Sequence, residues 1–260
     1  AGSDVPALII NVQRGGPGLG GIQPSQADYW QATKATGHGD FQILVFAPST
    51  VQEMVDFVSL AFDLGDKYRM PAMILADGML GQMMEPVEFK DQGENAKIEK
   101  PWALTGHQFK RPHNVVNSLY LKPADLERLV KERFERYETI KKTEQRAEEY
   151  LVDDADIVVV AYGASSRVAR SAVNAARAEG IKAGLIRPIT LWPFPTDALQ
   201  RAAQHVKKFL AVEMSMGQMV DDVRLAIHDQ KPVEFYGRTG GMIPTPAEVL
   251  GAVKKAGGVL

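Results

Sequence analysis

The 260-residue sequence contains no cysteine. That excludes disulfides, thiolate nucleophiles, zinc ribbons and any iron–sulfur cluster ligated by this chain. No apolar run approaches the ~20 residues that cross a bilayer, and no basic-then-apolar leader opens the chain. A cytoplasmic chain with no membrane partner is expected. A surplus of positive charge is also lacking: 30 Lys and Arg stand against 32 Asp and Glu. Phosphate-backbone binding needs clustered cations, so nucleic acid is excluded as a partner. The first residue is Ala1 and a strand-like run begins at Pro6, so truncation or processing is expected.

What is present is ordinary globular composition, 45% hydrophobic and 24% charged, in a length that suits two domains better than one core. Ala7-Leu8-Ile9-Ile10-Asn11-Val12 is rich in branched residues and reads as a strand covered on both faces. Phe41 to Ala47 and Pro71 to Ala76 repeat that pattern. Between them Ser49 and Gln52 have capping-box spacing, and the helix they open would bury Val51, Met54, Val55, Val58 and Phe62. Residues 1–88 therefore form a parallel α/β piece. From 89 to 153 the periodicity gives way to a linker arm and a charged helix, Ala124 to Tyr150. Its stripe of Leu126, Leu129, Val130, Phe134, Tyr137 and Ile140 would face either a partner or its own domain.

A second α/β unit spans 154–260. Ile157 to Ala161 precedes Gly163 and a helix with Val168, Ala172, Val173 and Ala176 inward and Gly180 as its stop. Strands recur at Ala183–Ile186, Lys208–Val212 and Val233–Phe235, with helices near Asp197–His205 and Gly217–His228. Thr245-Pro246-Ala247-Glu248 opens a last helix as a capping box with Pro at its first position. This alternation implies a doubly wound sheet with right-handed crossovers.

The candidate site is Gln13-Arg14-Gly15-Gly16-Pro17-Gly18-Leu19-Gly20-Gly21, which directly follows a strand, where α/β folds bind ligands. It lacks the Lys-Ser/Thr ending of a triphosphate-binding loop. Glycines allow close backbone approach to a ligand, and Arg14 offers a bidentate cation to a carboxylate. Alternatively the glycines make a turn and Arg14 pairs with a structural acid. His38 has no second histidine at ligand spacing and reads as structural, and Asp77 as a helix N-cap. Methionines 79, 83, 84, 214, 216 and 219 read as gap-filling and interface packing. His107 and His113 carry no role. No residue is singled out as catalytic or metal-ligating.

The stretch NVQRGGPGLGGIQPSQADYWQATKATGHGDFQILVFAPSTVQEM (11–54) resembles the alpha subunit of 2-oxoacid:ferredoxin oxidoreductases. The similarity continues through 61–89, 158–173, IRPITLWPFP (186–195) and VEMSMGQMVDDVRLA (212–226), and is strongest to the 2-oxoisovalerate type. The resemblance implies a partial thiamine-diphosphate pyrimidine-binding domain followed by a transketolase C-terminal-like domain. It implies Arg14 as the contact to the 2-oxoacid carboxylate and Gly15, Gly16 and Pro17 as the cofactor-site loop. The family's YPITPS-like segment and cofactor-activating glutamate are missing, so the first sheet is expected to be incomplete and the chain inactive alone. Thiamine diphosphate and Mg²⁺ would be shared with a beta subunit. Iron–sulfur clusters would lie on other subunits, among them gamma and a ferredoxin-like delta, with CoA as cosubstrate and ferredoxin as acceptor. The alternative is a non-catalytic assembly module or split subunit of such a complex.

Overall fold

The structure, a computed structural model, describes residues 1–34, 37–89 and 99–258. Part of the expected linker arm, residues 90–98, lies outside them. Two sheets organise the chain. The first is built from β1 (Leu8–Gln13), β2 (Leu44–Phe46), β3 (Ala72–Asp77) and β7 (Thr190–Trp192), in the order β1-β3-β2-β7. The pairings of β3 with β1 and β2 are parallel, while β7 is antiparallel to β2. The second contains β4 (Ala147–Tyr150), β5 (Ile157–Val160), β6 (Ala183–Pro188), β8 (Lys208–Glu213) and β9 (Val233–Gly237), in the order β4-β6-β5-β8-β9. All its pairings are parallel except that of edge strand β4.

The second sheet is doubly wound because its strands are apolar on both faces. Ile157 and Val159 of β5 join the core made by α4 (Gly163–Ala178) and α7 (Pro246–Gly257). Val158 and Val160 face the other way, toward α5 (Thr196–Ala203) and α6 (Met219–Ala226). That second core also takes in Leu44, Phe46, Ile74 and Leu75 of the first sheet, so one apolar cluster joins both sheets. The expected α4 residues, Val168, Ala172, Val173 and Ala176, are buried, and Thr245 and Glu248 form the complete capping box of α7.

Three expectations of detail are corrected. α2 (Val51–Tyr68) is capped by Thr50, whose hydroxyl accepts from the Glu53 amide, one residue later than expected. Its buried face is Phe57, Ala61, Leu64 and Tyr68, and Phe62 is 49% exposed. The most deeply buried stripe is thus not the expected one, of which Val58 packs partly buried against the same core. The charged helix, α3 (Pro123–Thr143), stops before β4, which pairs with β6 as a strand. Tyr137 and Ile140 cover its own core, whereas Leu126 and Phe134 are exposed. β1 is an edge rather than a strand covered on both faces, and Ile9, Ile10 and Val12 are exposed.

No expectation reached β7. The backbone leaves the second sheet at Pro188, passes Ile189, whose carbonyl accepts from the Ala47 amide at 2.8 Å, and enters the first sheet. Arg187 strengthens this crossing. It is 5% exposed, and it donates to both Glu53 carboxylate oxygens at 2.8 and 2.9 Å and to Glu148 at 2.8 Å.

Candidate functional site

β1 ends at Gln13, and the Gly-rich loop leaves the sheet at its carboxyl end. Gln13 is buried; its amide donates to the Ala76 carbonyl and its carbonyl accepts from the Asp28 amide, which fixes the point of departure. The loop then closes on itself. The Gly15 amide donates to Gln23 O at 2.8 Å, the Gly21 amide to Gly15 O at 2.9 Å, and Arg14 makes an antiparallel bridge with Pro24. Gly20 has φ +43°, and a Cβ there would lie 2.1 Å from Gly15 O, so no other residue fits. The Gly16–Pro17 peptide is cis. Gly16, Gly18 and Gly21 have the spacing of a dinucleotide fingerprint. No helix opens behind them, and α1 (Tyr29–Thr33) begins only eight residues on, so the helix N-terminus that fingerprint needs is absent from the loop.

Arg14 is exposed, and its guanidinium curls over its own loop. Nη1 donates to Gly15 O and Leu19 O, both at 2.8 Å, and Nη2 to Gly18 O at 3.0 Å. The structural acid considered from sequence is therefore replaced by backbone carbonyls. Three of the five N–H donors of the guanidinium are used this way, and the remainder have no acceptor among the described residues. Gly15 is buried, whereas Gly16 and Pro17 are exposed, and nothing lies within 4 Å of where a Gly16 Cβ would stand. Bare backbone thus faces open space beside a cation. The tip is apolar as well, with Leu19 97% and Ile22 82% exposed.

Behind the loop, residues 24–34 clamp the second unit, a role the sequence did not reveal. Gln26 is fully buried: its amide nitrogen donates to Tyr162 O (2.9 Å), and its side-chain oxygen accepts from Ser165 Oγ (2.8 Å) and the Met214 amide (3.0 Å). Tyr29 donates to Asp222 at 2.5 Å, and Lys34 reaches the other oxygen of the same carboxylate. Burial pushes the Tyr29 hydroxyl well above its ordinary pKa, and the facing Asp222 charge adds to it. Two more buried carboxylates end strands at this seam. Asp77 accepts from the Met79, Leu80 and Ala164 amides, so it caps a short 3₁₀ turn and α4 together. Glu213 accepts from the Gln218, Met219 and Val220 amides at the start of α6. Burial raises the pKa of both, against the lowering effect of those amides.

The remaining sequence candidates lie elsewhere. His38 is exposed beside Lys34 and Asp40, and His107 meets His113 at a tilt, with ring centroids 4.0 Å apart. Met214 and Met219 are buried, while Met84 and Met216 are exposed. Among the described residues no three His, Cys, Asp or Glu side chains group to hold a metal, and no helix is long and apolar enough to cross a membrane. The backbone at Gly16 is left open, with nothing within 4 Å of where a Cβ would stand, so a flat group could approach it there.

Residues 1–152 match the family model described as "Pyruvate flavodoxin/ferredoxin oxidoreductase, thiamine diP-bdg", and residues 155–249 match "Pyruvate:ferredoxin oxidoreductase core domain II". The chain is 47% identical over 258 residues to a ketoisovalerate oxidoreductase subunit, VorB, of Methanothermobacter thermautotrophicus, covering 99% of this chain and 73% of that protein. The chain belongs to the 2-oxoacid:ferredoxin oxidoreductase family. Its sequence is of that family's branched-chain type. A 2-oxoglutarate synthase subunit, KorA, of Methanothermobacter marburgensis is more distant, 34% identical over 96% of this chain and 74% of its own length. Among solved structures, the 2-oxoglutarate:ferredoxin oxidoreductase of Magnetococcus marinus has the same fold, with a TM-score of 0.76 at 23% identity. That match covers 97% of this chain and 49% of that one, so the chain spans about half of the solved oxidoreductase polypeptide. In this oxidoreductase subunit the Gly-rich loop lies in the unit matched to thiamine diphosphate binding, and the seam joins it to core domain II.

Proposed function

We propose that this chain is the alpha-type subunit supplying one wall of the thiamine diphosphate site in an enzyme that converts a branched-chain 2-oxoacid, 2-oxoisovalerate by preference, to its acyl-CoA, passing electrons to ferredoxin. The observation carrying this reading is the pairing of two exposed residues, Arg14, a cation with donors to spare, and Gly16, whose backbone is open. Thiamine diphosphate, when bound, would supply the electron sink that decarboxylation of a 2-oxoacid needs. Gly15, Gly16 and Pro17 would let its ring approach the backbone, and the spare Arg14 donors would hold the substrate carboxylate and fix its orientation. Identity of 47% to a ketoisovalerate-type subunit against 34% to a 2-oxoglutarate-type subunit supports the branched-chain substrate.

In this proposal a beta subunit binds the diphosphate and its Mg²⁺. Iron–sulfur clusters belong to the gamma and ferredoxin-like delta subunits, since this chain has no cysteine. The domains would be the pyrimidine-binding piece at 1–88, the arm and charged helix at 89–153 and the transketolase-like unit at 154–260. The assembly works in the cytoplasm. The test is oxoacid- and CoA-dependent reduction of a viologen dye by the chain assembled with its natural partners, comparing 2-oxoisovalerate, 2-oxoglutarate and pyruvate. Preference for 2-oxoisovalerate is expected. Arg14→Ala is expected to raise KM and lower kcat/KM by roughly 10- to 100-fold, the worth of one charged hydrogen-bonded contact. Unchanged kinetics would remove Arg14 from the site, and a clean complex without activity would favour a non-catalytic assembly module.

A further inference from the structure

The base of the Gly-rich loop does not rest on its own sheet alone. After β9 the chain makes a tight turn, Thr239-Gly240-Gly241-Met242, closed by the Met242 amide donating to Thr239 O at 3.3 Å. Both central residues have positive φ, +66° and +92°, the pattern of a type I′ turn, which glycine adopts at no steric cost. The turn is anchored on each side. Upstream, the Arg238 amide donates to Glu213 O at 3.2 Å and continues the β8–β9 ladder. Downstream, Glu248 belongs to the α7 capping box, and the Arg238 side chain pairs with that same Glu248. The turn meets the loop with no room to spare. A Cβ on Gly241 would lie 2.4 Å from the Gln23 Cβ, and a Cβ on Gly15 would touch Gly240 C and Gly241 N at 3.4 Å. Gly15 and Gln23 are the hydrogen-bonded pair that closes the base of the loop.

We propose that the Thr239–Met242 turn is a positioning element for the Arg14 loop, lent by the second unit and held in place by the Arg238–Glu248 ion pair. It sets the height at which Arg14 and Gly16 stand above the sheet, and so the distance from the guanidinium to a bound carboxylate. Neither Gly240 nor Gly241 touches substrate. This rests on the reading of Arg14 as the substrate contact, and the test separates the two.

Gly241→Ala forces the turn and Gln23 apart, and Arg238→Gln loosens the turn from its other anchor while leaving its backbone glycines intact. Gly251→Ala, on α7 with nothing within 4 Å of the new Cβ, is the control. Hydrogen exchange on the full chain is expected to be at least about tenfold faster at the Gly15 and Gly21 amides in Gly241→Ala, with β9 and α7 protected as before. Arg238→Gln is expected to shift the same amides less. In the assembled enzyme, Gly241→Ala raises KM for the oxoacid roughly tenfold or more, with kcat reduced less, as misplacement of an orienting group does. Unchanged exchange at Gly15 and Gly21 in both variants overturns the brace. Faster exchange with unchanged KM leaves the brace standing and overturns the assignment of Arg14 to substrate.

Discussion

Asp4 has φ +49° and bonds like a core residue. One of its oxygens accepts from Arg133 Nε at 3.0 Å and from Arg136 Nη2 at 2.8 Å, and Arg133 is 7% exposed. Burial alone raises the Asp4 carboxyl, but the two guanidiniums outweigh it and leave the pKa below its ordinary value. A carboxyl lowered in the fold stabilises above its unfolded pKa of about 3.9, and that contribution is lost as pH falls through the lowered value. Asp4→Asn, which tolerates the positive φ, is expected to cost about 2 kcal/mol at neutral pH and to flatten the loss of Tm below pH ~4. Thermal melts from pH 7 to 2.5 check this, and an acid limb identical to that of the parent would refute it. At this scale the position of Arg14 was legible, in a Gly-rich loop directly after a strand. Its bonds to Gly15, Gly18 and Leu19 were not, because side-chain direction leaves no trace in spacing. Gln26 was invisible for another reason: its partners lie 136 to 188 residues away, beyond any local pattern.

β1 shows how an element can be read correctly and its surroundings missed. Leu8 to Gln13 is a strand, and its branched composition is that of a covered strand, yet Ile9 is 42%, Ile10 55% and Val12 44% exposed. Composition reports the cover a strand is built for, and the described residues of this chain do not supply it. An open apolar edge invites pairing between copies. Ile10→Lys is expected to reduce self-association of the isolated chain while changing stability by no more than about 0.5 kcal/mol, as at an exposed position. Light scattering after size exclusion, with a melt beside it, checks both halves, and a large fall in Tm would place Ile10 in a core. The strands and helices of the second unit were more legible, since their apolar runs are bounded by Gly180 and by the Thr245 capping box. β4 and β7 escaped notice for lack of such signals. Ala147–Tyr150 carries two glutamates and follows a charged helix after only three residues, and Thr190–Trp192 is three residues long.

For the whole molecule, the family models meet between residues 152 and 155, while the packing does not divide there. β4 precedes that point and pairs into the second sheet; β7 follows it and pairs into the first. The larger core spans both sheets, with Arg187–Glu53 and Arg167–Glu85 reaching across. Residues 1–152 made alone are expected not to unfold cooperatively, lacking β7 and exposing one side of the shared core. Co-expression with residues 153–260 is expected to restore a single sharp transition, and a cooperative melt of 1–152 by itself would refute this. The strand that passes from one sheet to the other also bears on ancestry. Relatives could exchange units at residues 152–155 only if the incoming Thr190–Trp192 still matched the resident Val45 and Phe46, so the two halves are expected to be inherited as a linked pair, and chimaeras to succeed when β2 and β7 descend from one parent.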